Sequence, residues 1–136
     1  MPSLRTYSVF ICHDWEYSDH YHGVCNFLNR APNFVWKNLS VPEHDPLEND
    51  QMLQKNLRDQ IRPAEVMLAL AGMYSARSDS MIWEVAFARR IGLPVIGVMP
   101  RGNVQLPAMI QHAACDIVGW SEGSIVGAIR HHSLRT

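Results

Sequence analysis

Residues 65–72 read Glu65-Val66-Met67-Leu68-Ala69-Leu70-Ala71-Gly72, a nearly continuous apolar run just after Pro63. A run of this kind, without alternation, is typical of a strand that is buried on both faces of a parallel sheet. Val95-Ile96-Gly97-Val98-Met99 has the same character and follows Gly92 and Pro94, which suit the end of a helix. The two runs therefore predict two fully buried parallel strands.

Three further strands and five helices are predicted outward from these two runs. The strands are expected at 7–12, 34–41 and 116–120, and the second is expected at an edge because polar Lys37, Asn38 and Ser40 interrupt it. The helices are expected at 20–30, 51–62, around Glu84, at 106–114 and at 121–132, the last capped by Ser121 or Ser124. Strands that alternate with helices predict a flavodoxin-like, doubly wound sheet of order 2-1-3-4-5, with ligands at the carboxyl ends of strands 1 and 3.

Composition limits the function classes that fit. The chain has 136 residues, 47% of them hydrophobic and 18% charged, which predicts one globular domain over residues 1–136. A formal net charge of −1 provides no global field that would attract nucleic acid or an anionic membrane. No apolar stretch approaches the ~20 residues of a membrane span, and the first residues lack the apolar core of a signal peptide. We therefore expect a cytoplasmic protein that binds neither nucleic acid nor membrane.

Cysteine and histidine spacing gives no metal-site or redox-motif signature. The three cysteines, Cys12, Cys25 and Cys115, are far apart, which favours reduced thiols. Cys12 is either a pocket-lining thiol or a small buried hydrophobe. The seven histidines are scattered, and no HExxH, GxGxxG or GxxxxGK[ST] motif occurs. A phospho-acceptor receiver is also excluded, because no Asp ends strand 3 and no Lys follows strand 5.

Glu84 is the only charged residue in the run Met81-Ile82-Trp83-Glu84-Val85-Ala86-Phe87-Ala88. In one interpretation it is a buried carboxylate just past the end of strand 3, with a raised pKa that makes it usable for chemistry near neutral pH. In the other it only complements the helix dipole. Trp83 also has two interpretations, because its helical spacing to Phe87 fits a core position as well as a position in the site.

Polar and aromatic residues follow the strands that meet at the predicted switch point. Such a set suits a nucleotide-sized ligand, although parallel topology brings these loops together in any case. It consists of His13, Asp14 and Trp15 after strand 1, Glu43, His44 and Asp45 after strand 2, and Tyr74, Ser75, Ser78 and Ser80 before Glu84.

At these residues the sequence resembles the Toll/interleukin-1 receptor (TIR) superfamily. It is most similar to the bacterial TIR-like family that includes the TIR sensor of the Thoeris antiphage defence system. The matching stretches are 7–15, 36–47, 60–68, 80–84 and 92–98, of which Asn38-Leu39-Ser40-Val41-Pro42-Glu43-His44-Asp45-Pro46-Leu47 is the most distinctive.

The resemblance implies a flavodoxin-like fold and cleavage of the nicotinamide–ribose bond of NAD as substrate, with no cofactor. It places the catalytic glutamate on Glu84. It also implies a cyclic or modified ADP-ribose product that activates a separate effector, and self-association through TIR–TIR contacts. The loop at 42–50 corresponds to one that covers substrate or mediates those contacts. Candidate substrate-binding residues are Phe10, Cys12, His13, Asp14, Asp45, Tyr74 and Ser80.

One departure and two rivals stand beside this interpretation. Many TIR domains have a serine where this chain has Cys12, which leaves substrate detail open. Several TIR-like proteins are adaptors without activity, so a non-catalytic homotypic interaction module is one alternative. A sensor that binds the nucleotide without cleaving it is the other. The sequence does not specify the product linkage, the trigger or the oligomeric state.

Overall fold

The sheet has five parallel strands in the order β2-β1-β3-β4-β5, as the sequence predicts. The computed structural model describes residues 5–12, 18–40, 58–70, 79–99 and 108–134. The strands are β1 (Thr6–Cys12), β2 (Val35–Asn38), β3 (Val66–Leu70), β4 (Val95–Val98) and β5 (Asp116–Val118). The helices are α1 (Ser18–Arg30), α2 (Asp79–Arg90), α3 (Ala108–Ala113) and α4 (Glu122–His132). Residues 58–61 are also helical and Arg62 is in a turn; residues 51–57 of the helix expected at 51–62 lie outside the described residues.

The central strands form where the apolar runs predict them. All five residues of β3 and all four of β4 are buried. β1 pairs with β2 on one side and β3 on the other, with Cys12 opposite Ala69 in the β1–β3 register. β2 is an edge strand and stops at Asn38, three residues short of the predicted end.

Two apolar layers cover the sheet, and the alternation of side chains along β1 separates them. Phe10 and Cys12 pack on one face with Val85 and Ala88 of α2 and Ile110 of α3. Val9 and Ile11 pack on the other face, in a cluster that α1 and α4 complete with the residues Val24, Leu28, Ile125, Val126, Ala128 and Ile129. Among the described residues, helices therefore cover both faces of β1, and the strand ends are left as a place for a ligand.

Helix ends follow their local sequence signals. Gly92 ends α2 with φ +76°, a left-handed conformation that costs glycine little, and the N–H of Leu93 donates to the Ala88 carbonyl at 2.9 Å. Ser121 caps α4 and accepts from the Ser124 N–H, which settles the choice between the two serines. No helix among the described residues is long and apolar enough to cross a membrane.

Candidate functional site

Glu84 lies at the point of the sheet where an open α/β fold places its ligands. It is the sixth residue of α2 and only 4% exposed. Its carboxyl group reaches Cys12, the last residue of β1, and β3 is the neighbour of β1 there. The chain runs to opposite sides of the sheet from β1 and β3, so this is the topological switch point.

The carboxyl group of Glu84 accepts a hydrogen bond from a buried thiol. Cys12 is fully buried, and its Sγ donates to Glu84 Oε2 at a distance of 3.2 Å. The ion pairs of the described residues are Arg5–Glu65, Arg30–Glu122 and His132–Asp116, so Glu84 has no cationic partner among them. A buried carboxylate is usually paired with a positively charged side chain, whereas Glu84 contacts only a thiol, which is a weak and neutral donor, among the described residues.

Burial raises the pKa of Glu84 from 4.5 to about 8, and the hydrogen bond from Cys12 opposes part of that increase. Burial also raises the pKa of the Cys12 thiol well above 9, and the charge of Glu84 raises it further. Both groups therefore keep their protons at neutral pH in the free protein. A modest electrostatic change at the site is enough to ionise Glu84 near that pH.

The helix-dipole interpretation of Glu84 does not fit its position. The dipole acts mainly within the first turn of a helix, and Glu84 is beyond that turn and faces the end of β1. The alternative that Cys12 is a small buried hydrophobe does fit its burial, but its thiol also makes a polar contact.

Phe10 has a different environment from the one a ligand contact needs. It is 1% exposed and belongs to the same apolar cluster as Cys12, because residues two apart on a strand share a face. A ring with so little exposed surface supports the floor of the site rather than contacting a ligand. Cys12, which has no exposed surface, likewise supports Glu84 from inside the core.

Just beyond β2, side-chain hydrogen bonds add to the backbone bond that the Leu39 N–H donates to the Val9 carbonyl of β1. Ser40 Oγ accepts from the Ile11 N–H at 2.8 Å, and Asn38 Oδ1 accepts from the Ser40 N–H at 2.9 Å. Asn38 Nδ2 also donates to the Tyr21 hydroxyl at 2.8 Å, which links this corner to α1. This role of Asn38 and Ser40 was not predicted from the sequence. Their polar side chains in an otherwise apolar strand were the available signal.

Several predicted site residues cannot be related to this geometry. His13, Asp14, Asp45 and Tyr74 lie outside the described residues, as does the side chain of Ser80. The backbone of Ser80 belongs to α2, one turn before Glu84. Among the described residues, no group of three or more His, Cys, Asp and Glu side chains is arranged to hold a metal ion.

Trp83 lies on another side of α2. Its ring is half-buried and stacks on Phe87, with ring centroids 5.4 Å apart. The two rings line a surface groove together with Arg58, Ala86 and Arg90. None of the predicted site residues whose side chains the structure describes lines this groove, so Trp83 is assigned to a packed aromatic pair.

Solved structures share this fold at low sequence identity. A conserved protein from Enterococcus faecalis V583 has a TM-score of 0.66 and 9% identity over 93% of this chain and 99% of that one. The CMP N-glycosidase BcmB of Clostridium botulinum has a TM-score of 0.58 and 13% identity over 91% and 98%. A CheY-like protein (tadZ) from Pseudomonas aeruginosa PAO1 has a TM-score of 0.57 and 16% identity over 96% and 95%.

These likenesses and the strand order define a flavodoxin-like α/β protein with a buried carboxyl group at its switch point. No curated protein sequence matches the chain significantly. The sequence profile described as Thoeris protein ThsB, TIR-like domain, matches residues 10–105, which is more than half of the chain. The chain belongs to this family, as the resemblance indicated.

Proposed function

We propose that this protein cleaves the bond between nicotinamide and ribose in NAD, with Glu84 as its catalytic carboxylate. The observation that carries the proposal is the position of Glu84: it is buried at the switch point, without a cationic partner among the described residues. Membership of the Thoeris TIR-like family supports it. An uncompensated buried carboxyl group weakens the fold, so its presence at a ligand position favours a role in chemistry.

The reaction asks for a negative charge beside the ribose. The C1′–N bond breaks, its electron pair leaves with nicotinamide, and positive charge grows on C1′ and the ring oxygen. A carboxylate next to that ring stabilises the charge and orients the ribose hydroxyls. Water, or a nucleophilic group of the same nucleotide, then forms the new bond to C1′ and releases a proton. The first acceptor yields ADP-ribose and the second a cyclic product.

Binding of a cation prepares Glu84 for this role. The pyridinium ring of NAD carries a positive charge, which favours the ionised form of a nearby carboxyl group. Because the pKa of Glu84 is about 8 in the free protein, we expect binding to be coupled to loss of a proton. We therefore expect kcat/KM to rise with pH and to level off above about pH 8.

The wider proposal follows the family. The product is a cyclic or modified ADP-ribose that activates a separate effector in antiphage defence in the cytoplasm, and self-association through TIR–TIR contacts completes the site. No cofactor takes part, since NAD is the substrate. His13, Asp14, Asp45, Tyr74 and Ser80 remain the proposed substrate contacts, whereas Phe10 and Cys12 support the site from below.

A structural neighbour also supports cleavage of an N-glycosidic bond as the class of reaction. BcmB is, by its name, an N-glycosidase of CMP. At 13% identity this likeness shows the fold alone, so it suggests CMP as a comparison substrate and not as a conclusion.

The test is nicotinamide release from NAD by the purified protein at high protein concentration, with and without an extract of phage-infected cells. The Glu84→Gln variant is measured alongside. We expect release by the wild type and a loss of roughly 100-fold or more in the variant, the usual scale for removing one electrostatic or acid–base group. CMP is offered in parallel, with cytosine release as the readout.

Glu65→Gln is the matched control. Glu65 is also a buried glutamate, but it lies at the amino end of β3 and pairs with Arg5. Its variant should release nicotinamide at the wild-type rate. Undiminished release by Glu84→Gln would overturn the role of Glu84. Cytosine release without nicotinamide release would overturn NAD as substrate, and saturable NAD binding without release would favour the non-cleaving sensor. Self-association without binding or release would favour the interaction module.

A further inference from the structure

The contact between Cys12 and Glu84 joins a flexible side chain to a residue of the sheet. Cys12 is the last residue of β1, and its backbone pairs with Ala69 of β3. Its Sγ donates to Glu84 Oε2 at 3.2 Å, across 72 residues of sequence. A glutamate side chain has three rotatable bonds, so this single hydrogen bond to a fixed donor removes much of its freedom.

The hydrogen bond uses one of the two carboxyl oxygens. Among the described residues, Glu84 Oε1 receives no hydrogen bond, whereas Oε2 is bound to the thiol. This division is what a reacting carboxylate needs, because one oxygen is held by the protein and the other remains for the ligand.

We propose that Cys12 is a positioning residue for Glu84, its thiol holding Oε2 so that Oε1 serves the substrate. The effect on turnover rests on the proposed NAD cleavage. The positioning itself does not, because it concerns a contact within the free protein.

The chemistry of the donor gives the proposal a graded consequence. A donor that bonds to a carboxylate favours the ionised form, against the effect of burial. A thiol is a weak donor and a hydroxyl a stronger one, whereas a methyl group donates nothing. The order of donor strength is therefore serine, cysteine, alanine, and the pKa of Glu84 should rise in that order.

The other described charged groups around α2 do not account for the pKa of Glu84. The described strands β3 and β4 consist of apolar residues and one glycine. On α3, the carbonyl of His112 accepts from Arg89 on the exposed side of α2. Arg58 and Arg90 line the groove beside Trp83, and Arg62 lies over the Phe87 ring. Among the described groups, only Cys12 acts on the pKa of Glu84 besides burial.

The experiment is an NMR titration of the Glu84 carboxyl carbon in protein labelled at its glutamates. The resonance is assigned by its absence from Glu84→Gln. We expect the titration midpoint to rise by about half a unit or more in Cys12→Ala and to fall by a similar amount in Cys12→Ser. Cys115→Ser, which changes an exposed thiol, is the matched control and should leave the midpoint unchanged. Equal midpoints in all four proteins would overturn the proposal.

A second measurement avoids any change at the site. In a Cys25→Ser/Cys115→Ser double variant, Cys12 is the only thiol of the chain. Its infrared S–H stretching band should move to lower frequency as pH rises through the titration of Glu84, since a hydrogen bond to an ionised acceptor is stronger. A band that does not move over that range would count against the contact.

The two proposals fail in different ways. Shifted midpoints in a protein that releases no nicotinamide would retain the positioning role and reject NAD cleavage. Nicotinamide release whose pH profile is the same in the wild type, Cys12→Ser and Cys12→Ala would reject the positioning role and retain the enzyme. If both hold, the rise of kcat/KM with pH should shift in the same direction as the carboxyl midpoint of the free protein in each variant.

Discussion

Glu84 and Glu65 are both buried glutamates, and they lie at opposite ends of the same parallel sheet. At the amino end, Glu65 pairs with Arg5, its N–H donates to Ser8 and its carbonyl accepts from Leu134. At the carboxyl end, Glu84 has a single thiol donor among the described residues. One glutamate is thus neutralised within the structure, while the other is left without a compensating charge. The difference separates a residue that stabilises the fold from one that the fold tolerates.

The largest effect is expected for Glu84→Gln, measured by urea unfolding as a function of pH. Between pH 4.5 and about 8 the folded protein holds a proton on Glu84 that the unfolded chain releases, so the free energy of unfolding should fall as pH rises through this window. We expect the variant to match the wild type near the bottom of the window and to exceed it by roughly 3–5 kcal/mol above the top. Equal pH dependence in the two proteins would contradict the burial of a carboxyl group without compensation.

Glu65→Gln should change stability in the opposite direction. Removing its charge leaves Arg5 without its partner, and the guanidinium is about one-third exposed, so we expect a loss of about 1–2 kcal/mol near neutral pH. Unfolding of Glu65→Gln, Arg5→Gln and the double variant measures the effect. The two single losses should not add, because they break one interaction. Fully additive losses would mean that the pair contributes nothing.

The smallest effect is expected for Ser40→Ala, which tests how the carboxyl end of β1 is held by a hydrogen bond instead of an ion pair. Ser40→Ala removes the hydroxyl that accepts from the Ile11 N–H, and we expect a loss of about 1 kcal/mol. Hydrogen exchange at Ile11 should accelerate, while exchange at Val66 and Met67 in the amino half of β3 should not. Ser124→Ala, at an exposed position of α4, is a control for loss of a hydroxyl. Unchanged exchange at Ile11 would show that Ser40 does not secure the strand end.

Much of the fold could be predicted because burial on both faces leaves a strong sequence signal. The apolar runs of β3 and β4 fixed the strand type, and their alternation with helices fixed the order. The predicted helix at 20–30 begins two residues earlier in the structure, at Ser18. The second strand ends early: after the backbone bond from the Leu39 N–H to the Val9 carbonyl, the acceptor for the Ile11 N–H is the Ser40 hydroxyl. The use of a side-chain acceptor in place of a backbone carbonyl depends on a three-dimensional contact, so the local sequence does not predict it.

The candidate site was less predictable. Glu84 was identifiable as a lone charge in an apolar helix, and its burial is confirmed. The thiol contact was not, because it depends on the rotation of α2 relative to β1. Phe10 is a predicted ligand contact through the family resemblance, and its ring is buried on the same face of β1 as Cys12 because residues two apart on a strand share a face.

The junction at Glu65 has a practical consequence for handling the protein. Arg5 donates to both Glu65 and the Leu134 carbonyl, so the two ends of the described chain meet at the amino edge of the sheet. A fluorescent reporter or a surface anchor attached beside Arg5 or at the exposed Leu134 is therefore on the side opposite Glu84. Such a placement leaves the carboxyl edge of the sheet open to solution in immobilised assay formats.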